Sequence, residues 1–437
     1  MQIGIIGGGP AGYSTAIKLS KKGNKVYLFE KEKIGGVCLN AGCIPTKSLI
    51  HSANLHDIVK SDTEKADWEK IQREKALAVK KDLLGLERLL VENKIEIIKK
   101  EVTLKSDGKI EADGEYIFDK IVVAAGSKPI IPPFRVPKDL WSSTEALEAT
   151  DLPESLVIIG AGYIGLEFGY IFSCIGSKVS IIEKENEVLP GEDRESAGLL
   201  RKSLMKRGIK FYLSSVVTEV KKINDEFEIN FKKGGEEEKI KGKKVLIAIG
   251  RKPNTDNLPG EILEGDKIVK VNDFLETKIK NVYAAGDCTG GYLLAHAAFK
   301  DAEIVARNID GDKIKKDNFV VPRVVYTNPE LASVGKPEEK VKSDCQDYMV
   351  SKVQFASNPR AITTGKVRGQ IKLIFTKEGQ IIGSTIIGEN ASELISLIGL
   401  AIDNGLGIKE LSEAVFPHPT FSEIIGKVSE TAEAKSI

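Results

Sequence analysis

The chain has 437 residues, 41% hydrophobic and 29% charged, with 41 glycines and 16 prolines. At roughly 100–200 residues per domain, two to four domains are expected, and this ordinary globular composition excludes disorder, collagen-like repeats or coiled coil as the main architecture. Lys+Arg 64 against Asp+Glu 63 leaves a formal net charge of +1, so no bulk basic field exists to hold nucleic acid or an anionic membrane.

The chain opens on Gln2–Gly7, which reads as a strand running into a glycine turn and leaves no room for a signal peptide. Gly7-Gly8-Gly9-Pro10-Ala11-Gly12 then fits G-x-G-x-x-G. In that pattern the first glycine permits a tight turn and the second lets the backbone approach a pyrophosphate. The third lets helix and strand pack closely, and the phosphates meet free N–H groups at the helix start. Glu30 ends the next strand, where a carboxylate can accept from ribose hydroxyls.

Two of the five cysteines follow, five apart, in Gly36-Val37-Cys38-Leu39-Asn40-Ala41-Gly42-Cys43-Ile44-Pro45-Thr46-Lys47. In one continuous helix, positions i and i+5 are about 8.7 Å apart at Cα, and a disulfide needs less than about 7 Å. Cys38 is therefore expected before a helix or on an irregular turn, with Gly42 giving backbone freedom. Pro45 suits a first helical turn, which puts Cys43 near a helix N-terminus whose dipole favours a thiolate. A catalytic pair is favoured over a structural staple, because a short-loop bridge adds little to a large protein. A metal site would need further ligands, and no second close Cys/His cluster exists, so no metal is expected. Cys174, Cys288 and Cys345 read as small buried or incidental residues.

Lys65–Asn93 carries Lys, Glu and Leu at helical spacing and predicts one or two exposed helices. Pro129–Pro137, with four prolines in nine residues, cannot be a helix or a central strand and is a linker candidate. Leu156–Glu183 then repeats the opening pattern, with Gly160-Ala161-Gly162-Tyr163-Ile164-Gly165 as its loop and Glu183 as its acid. A carboxylate there repels a 2′-phosphate, so this nucleotide should be NAD, although Lys184 stands beside it. Asn281–Asp287 is a further strand ending in Gly-Asp. From about Val320 the texture changes: Gln370–Phe375 and Gln380–Ile387 suggest antiparallel strands, and Glu389–Asn404 an amphipathic helix. The apolar run Leu394–Ile402 is too short to span a bilayer. His51 and His56 read as surface helix residues, and His296 as a structural one. His418 stands between Pro417 and Pro419, with Glu423 near enough to orient its ring for acid–base work. Thr420-x-x-Glu423 is equally a capping box, which accounts for Glu423 without catalysis.

These segments together resemble the dihydrolipoyl dehydrogenases within class I of the flavin-dependent pyridine nucleotide–disulfide oxidoreductases. The likeness runs from Gln2 to about Val428. It is carried by the cysteine segment, by His418-Pro419-Thr420 with Glu423, and by Ala124–Pro129, Gly250–Asn254, Ala285-Gly286-Asp287 and Leu294-Ala295-His296. It implies an α/β fold: two Rossmann-like dinucleotide-binding domains plus a C-terminal α+β dimerisation domain. The divisions would be 1–145 and 266–320 for FAD, 146–265 for NAD, and 321–437 for the interface.

The resemblance also implies roles. Gly7, Gly9, Ala11, Gly12, Glu30, Lys31, Gly36, Val37, Lys47, Val102, Ala125, Gly126, Ser127, Asp287, Leu294 and Ala295 would hold FAD. Gly160, Gly162, Tyr163, Ile164, Gly165, Glu183 and Gly250 would hold NAD. Cys38 would exchange with substrate and Cys43 would face the flavin. Lys47 would lie near the flavin N5, with Glu167 as its paired acid. His418 and Glu423 would come from the second subunit of a homodimer.

The implied reaction oxidises protein-bound dihydrolipoamide through a Cys38–Cys43 disulfide, with NAD as hydride acceptor. The partner would be the lipoyl domain of a 2-oxo acid dehydrogenase or glycine cleavage complex, in the cytoplasm. Alternatives are an NAD(P)H-dependent disulfide reductase of the glutathione-reductase type, and a non-catalytic flavoprotein component of a multienzyme complex. Phe416 stands where relatives often carry a second histidine, and Tyr163 where lipoamide enzymes are often aliphatic. Lys427–Ile437 contains no cysteine, unlike the tails of mercuric reductases and large thioredoxin reductases.

Removing the acid from the second nucleotide site tests its predicted selectivity. In steady-state assays, Glu183→Ala should raise NADP use relative to NAD by about tenfold or more, because a like-charge clash with the 2′-phosphate is relieved. A parent protein that already prefers NADP contradicts the assignment.

Overall fold

Short β-branched runs bounded by glycine form the centres of two parallel sheets, as expected for strands buried on both faces. The computed structural model of the chain describes residues 1–59, 66–265, 267–316, 319–345 and 347–436. Lys65, Asp266 and Ile437, which mark expected element or domain limits, lie outside the described residues. The chain groups into two units, Met1–Leu49 with Glu69–Ile131 and Gly250–Asn318, and Ile50–Trp68 with Pro132–Ile249 and Phe319–Ile437.

The first unit is built on a five-stranded parallel sheet. Its order is Val282–Ala284, Lys120–Val123, Gln2–Ile6, Lys25–Phe29 and Glu96–Ile98. Helix Pro10–Lys21 follows the first strand directly and packs near helix Ala295–Ile309, with Tyr13 edge-on to Phe299 at 5.9 Å. The expected helix after the cysteines is one element, Trp68–Glu92. It is not wholly exposed: Ile71, Leu86 and Leu90 are buried on its inner face. Ser127–Pro129 pairs antiparallel with Arg251–Pro253, so the proline-rich segment begins in a two-stranded ribbon. The division between the units then falls at Ile131 and Pro132.

The second unit contains a four-stranded parallel sheet in the order Lys210–Tyr212, Lys178–Ile182, Ser155–Ile159 and Lys244–Ile247. Helix Tyr163–Cys174 is buried on nearly every side. The same unit holds an antiparallel five-stranded sheet in the order Arg323–Val325, Glu330–Gly335, Ile381–Gly388, Gln370–Phe375 and Met349–Gln354. Helices Ala391–Asp403 and Glu423–Ser436 cover it. The expected alternation of inner and outer residues is not what forms here. Every residue of Gln370–Phe375 is buried, because helices and neighbouring elements enclose both faces. Among the described residues, no helix is long and apolar enough to cross a membrane.

Burial on both faces places Lys372 inside, with 2% of its side chain exposed. Its Nζ lies 2.5 Å from Asp193 Oδ2, 2.5 Å from Glu338 Oε2 and 3.5 Å from Glu195 Oε2. Burial opposes ionisation of Glu338, but hydrogen bonds from Lys342 and Lys372 outweigh it and hold its carboxyl down at about 2. Burial likewise works against the Lys372 charge, yet bonds to Asp193 and Glu338 raise its pKa above the usual lysine value.

Two stability effects follow. Lys372→Met should cost about 3–5 kcal/mol in urea unfolding at pH 7, since it leaves Asp193 buried without its cation. Because the Glu338 carboxyl is held at about 2 when folded against 4.5 for a free glutamate, its contribution is present above about pH 4.5 and is lost as pH falls toward 2. The Lys372 variant should show a weaker fall in stability between pH 5 and 3, roughly, than the parent.

Candidate functional site

The two glycine loops are built alike, and steric contacts explain each glycine separately. Gly7 and Gly160 sit at φ +103° and +107°, where a side chain is strained. A Cβ on Gly12 would lie 1.8 Å from the Gly7 carbonyl oxygen, and one on Gly165 2.0 Å from that of Gly160. Those glycines serve helix–strand contact. The middle glycines differ. A Cβ on Gly9 meets nothing closer than 3.9 Å and one on Gly162 nothing within 4 Å. Among the described residues, no steric contact requires glycine at those two positions. The open space in front of each helix N-terminus is what a pyrophosphate needs.

The acids at the strand ends also match. Glu30 Oε2 accepts from the Gly8 N–H at 2.7 Å and Oε1 from the Glu32 N–H at 2.8 Å. Glu183 Oε2 accepts from the Ala161 N–H at 2.7 Å and Oε1 from the Glu185 N–H at 3.0 Å. Each carboxylate therefore clamps its own loop, beyond the ribose contact read from sequence.

Cys38 precedes the helix that Cys43 opens, as expected, and itself lies inside the short helix Gly36–Ala41. The helix stops at Gly42, and Cys43 begins a new helix, Cys43–Val59. Gly42 is needed for close approach rather than for a left-handed conformation: its φ is −149°, and a Cβ would lie 2.8 Å from the Val37 carbonyl oxygen. The two thiols are hydrogen-bonded to each other. That bond, burial and the negative charge of Cys43 raise the pKa of Cys38, with Lys47 opposing. Cys38 is therefore held toward its protonated form, and Cys43 stands at a helix N-terminus, where a negative charge is favoured.

Around this pair the first unit supplies groups that the sequence reading did not single out. Burial and the charges of Cys38, Asp82 and Cys43 push the Tyr13 hydroxyl up to about 12. Arg251 donates from Nε to Ser127 Oγ at 2.9 Å and from Nη2 to the Ser127 carbonyl at 2.6 Å. Ser127 Oγ in turn donates to Asp287 Oδ2 at 2.5 Å. Burial lowers the Arg251 pKa against the pull of Asp287 and Cys43. The only sequence signals were the position of Tyr13 directly after the third glycine and of Arg251 directly after Gly250.

Other expected contacts vary in kind. Ala125 and Gly126 lie on the loop just before Ser127, and Gly126 has φ +72° with open space beside it. Gly36 is half-buried and Val37 is exposed, while Ala11 is buried. Val102 is buried in the hydrophobic core of the unit, which leaves only its backbone for a ligand. Lys31 is paired on the surface with Glu101 at 3.1 Å. Leu294 precedes helix Ala295–Ile309 in extended conformation, and His296 is exposed on that helix. Gly250 accepts from the Ile130 N–H at 3.0 Å.

In the second unit, Ile164 follows Tyr163 in the first turn of helix Tyr163–Cys174. The Tyr163 hydroxyl donates to Glu192 Oε1 at 2.5 Å, and the same carboxylate takes Arg323 Nε at 2.5 Å and Ser333 Oγ. Glu167 is buried and accepts from the Tyr326 N–H at 3.1 Å. His418 Nδ1 lies 2.8 Å from Glu423 Oε1, and since a carboxylate only accepts, Nδ1 carries the hydrogen and Nε2 is left as the basic nitrogen. Glu423 Oε2 takes the Thr420 N–H at 2.7 Å. Glu423 thus reaches both the His418 ring and the Thr420 amide, while Thr420 Oγ1 turns to the Pro417 carbonyl and the helix begins only at Glu423, so the expected capping box does not form. The His418 bond, then the Thr420 amide, hold Glu423 below the usual carboxylate range. Cys174 and Cys288 are buried as expected, whereas Cys345 is exposed.

A reactive thiol pair beside one nucleotide loop, in a chain with a second such loop, defines the class: an oxidoreductase that moves electrons between sulfur and a nicotinamide nucleotide. Comparison with known proteins gives the family. Residues 1–302 match the pyridine nucleotide-disulphide oxidoreductases and residues 321–429 their dimerisation domain. The chain belongs to this family, and as a flavoprotein disulfide oxidoreductase it uses FAD and NAD.

It is 36% identical to a dihydrolipoyl dehydrogenase of Geobacillus stearothermophilus, covering 98% of this chain and 95% of the relative. It is 38% identical to one of Buchnera aphidicola, again over 98% and 95%. Among solved structures, the HOCl-induced flavoprotein disulfide reductase RclA of Escherichia coli, as its Cu(II) complex, matches with TM-score 0.89 at 29% identity over 98% and 99% of the two chains. LpdA of Mycobacterium tuberculosis matches with TM-score 0.90 at 25% identity over 99% of both.

The glycine contacts separate folding from binding. Gly162→Ala should leave the melting temperature unchanged or slightly raised yet cut NAD affinity by about tenfold or more, while Gly165→Ala should destabilise by about 1–3 kcal/mol. Calorimetry and NAD titration of the two variants check this.

Proposed function

We propose that this protein oxidises dihydrolipoamide carried on a lipoyl domain and reduces NAD. The hydrogen-bonded Cys38–Cys43 pair carries the proposal. It is a reduced dithiol held so that closing a bridge needs no new fold, with its thiolate at a helix N-terminus. Bound FAD supplies the two-electron relay between the dithiol and NAD.

The chain's own groups do the rest. In the oxidised state Cys38 and Cys43 are bridged. His418 Nε2 accepts a proton from one substrate thiol, and Glu423 steadies the imidazolium that forms. The substrate thiolate attacks Cys38, and Cys43 leaves as the thiolate its helix stabilises. The second substrate thiol gives its proton to solvent and closes lipoamide, releasing Cys38, which takes the proton from His418. Cys38 gives up that proton as the Cys38–Cys43 bridge re-forms, and the electron pair leaves with one proton as the hydride that NAD accepts, so dihydrolipoamide and NAD become lipoamide, NADH and one proton.

In this reading Gly7, Gly9, Gly12, Glu30, Lys47, Ser127 and Asp287 hold FAD. Gly160, Gly162, Gly165 and Glu183 hold NAD, and Glu167 pairs with Lys47. The chain acts as a homodimer in which His418 and Glu423 of each subunit serve the thiols of the other. A lipoyl domain of a 2-oxo acid dehydrogenase or glycine cleavage complex is the partner, in the cytoplasm.

Anaerobic titration with dihydrolipoamide tests the mechanism. A long-wavelength thiolate–flavin band should appear in the parent and be absent in Cys43→Ser. His418→Gln should lower turnover by about 10²–10⁴-fold while leaving flavin binding intact. Faster turnover with glutathione disulfide than with lipoamide transfers the assignment to a glutathione-type reductase.

A further inference from the structure

Asp301 is an acid where a helix face should be apolar. It lies in the middle of helix Ala295–Ile309, 3% exposed, among the buried residues Ala298, Ala302 and Val305. A carboxylate there costs desolvation and helix propensity and is retained only if its partners repay it. Its partners point to the turn that carries Asp287. Oδ2 accepts from the Gly286 N–H at 3.1 Å. Lys316 Nζ stands 2.8 Å from Oδ1 and 3.1 Å from Oδ2, and is itself about one-third exposed at 34%.

The turn needs such an anchor. Gly286 sits at φ +76°, and a Cβ there would meet Ala11 Cβ at 3.0 Å and Ala298 Cβ at 3.2 Å, so the backbone is wedged between two helices. The Ala285 N–H is already taken by the Val123 carbonyl at 2.9 Å in the sheet. The Asp287 carboxylate is fixed from the other side by Ser127 Oγ, which Arg251 holds. The Gly286 amide is the remaining N–H on the backbone just before Asp287, and Asp301 takes it, while Thr289 Oγ1 holds the Gly286 carbonyl at 2.9 Å. Lys316 arrives at the carboxylate because its segment is folded back: Asn308 bonds the Phe274 and Ile314 carbonyls at 2.8 Å each, and the Lys316 N–H bonds the Asp273 carbonyl.

We propose that Asp301, with Lys316 as its counter-ion, is a positioning residue for the flavin: it fixes the Gly286 amide and thereby aims the Asp287 carboxylate at FAD. This rests on the assignment of Asp287 to FAD. A merely structural ion pair would weaken FAD binding in any variant that breaks it, whether or not an acceptor for the Gly286 amide remains.

The test uses the full chain, stripped of flavin and titrated with FAD and, separately, with NAD. Asp301→Ala should lose about tenfold or more in FAD affinity, the scale of one charge-assisted hydrogen bond. Asp301→Asn keeps an acceptor oxygen for Gly286 and should stay within about threefold of the parent. NAD affinity should be unchanged in both. Parent-like FAD affinity in Asp301→Ala, equal losses in the two variants, or a matching loss of NAD affinity overturns the proposal. Should Asp301→Ala fail to fold by circular dichroism, Asp301→Leu, which suits the apolar helix face and also removes the acceptor, decides. A loss of FAD affinity of about threefold or more at constant NAD affinity supports the proposal, and parent-like FAD affinity overturns it. A parent chain that takes up no FAD at all defeats the assignment of Asp287 itself, a result distinct from any behaviour of the variants.

Discussion

The sulfur of Cys38 reaches that of Cys43 because the helix between them breaks at Gly42. An unbroken helix would hold the two positions about 8.7 Å apart at Cα, too far for thiol contact or a bridge. The break has a second effect: it makes Cys43 the first residue of a new helix, where unpaired amide groups favour negative charge. The approach of the two residues and the helix-terminal place of Cys43 thus come from one interruption. The stop is enforced sterically, by the Val37 carbonyl lying where a Cβ would be.

The two glycine loops show how the space in front of a helix N-terminus is kept open. The outer glycines let the helix press on its strand. The middle glycines leave empty space. Glu30 and Glu183 hold the loops from behind through backbone amides, with nearly identical lengths. The same arrangement in two units argues that it follows from the strand–loop–helix geometry itself and not from neighbouring elements. A carboxylate with four lone-pair sites can hold two amides and still receive a ribose.

Buried charge has a different task in the second unit. Lys372 with Asp193 and Glu338, and Glu192 with Arg323, Tyr163 and Ser333, join segments far apart in sequence. Such networks are poor sources of net stability, but they penalise any register that leaves one partner alone. The Glu192 cluster ends on Tyr163 in the nucleotide loop. The sheet Arg323–Gln354 and Gln370–Gly388 is thereby tied to the loop through side chains rather than through an apolar face.

By itself the sequence determined the two strand–glycine–helix units, their acids, the helix start at Cys43 and the His418–Glu423 pairing. Each of these is set by neighbours within about thirty residues, where spacing and residue type translate directly into geometry. It determined less about the cysteine turn, since nothing local says that Cys38 is already helical. Tertiary structure alone decided the Arg251–Ser127–Asp287 chain of hydrogen bonds, the place of Tyr13, and the burial of Lys372 and Asp301. Most of those contacts join residues more than a hundred positions apart, or depend on which face of an element is enclosed. Hydrophobic pattern fixes that a segment is buried, but a charged residue within it acquires meaning only when its partner arrives from elsewhere in the chain.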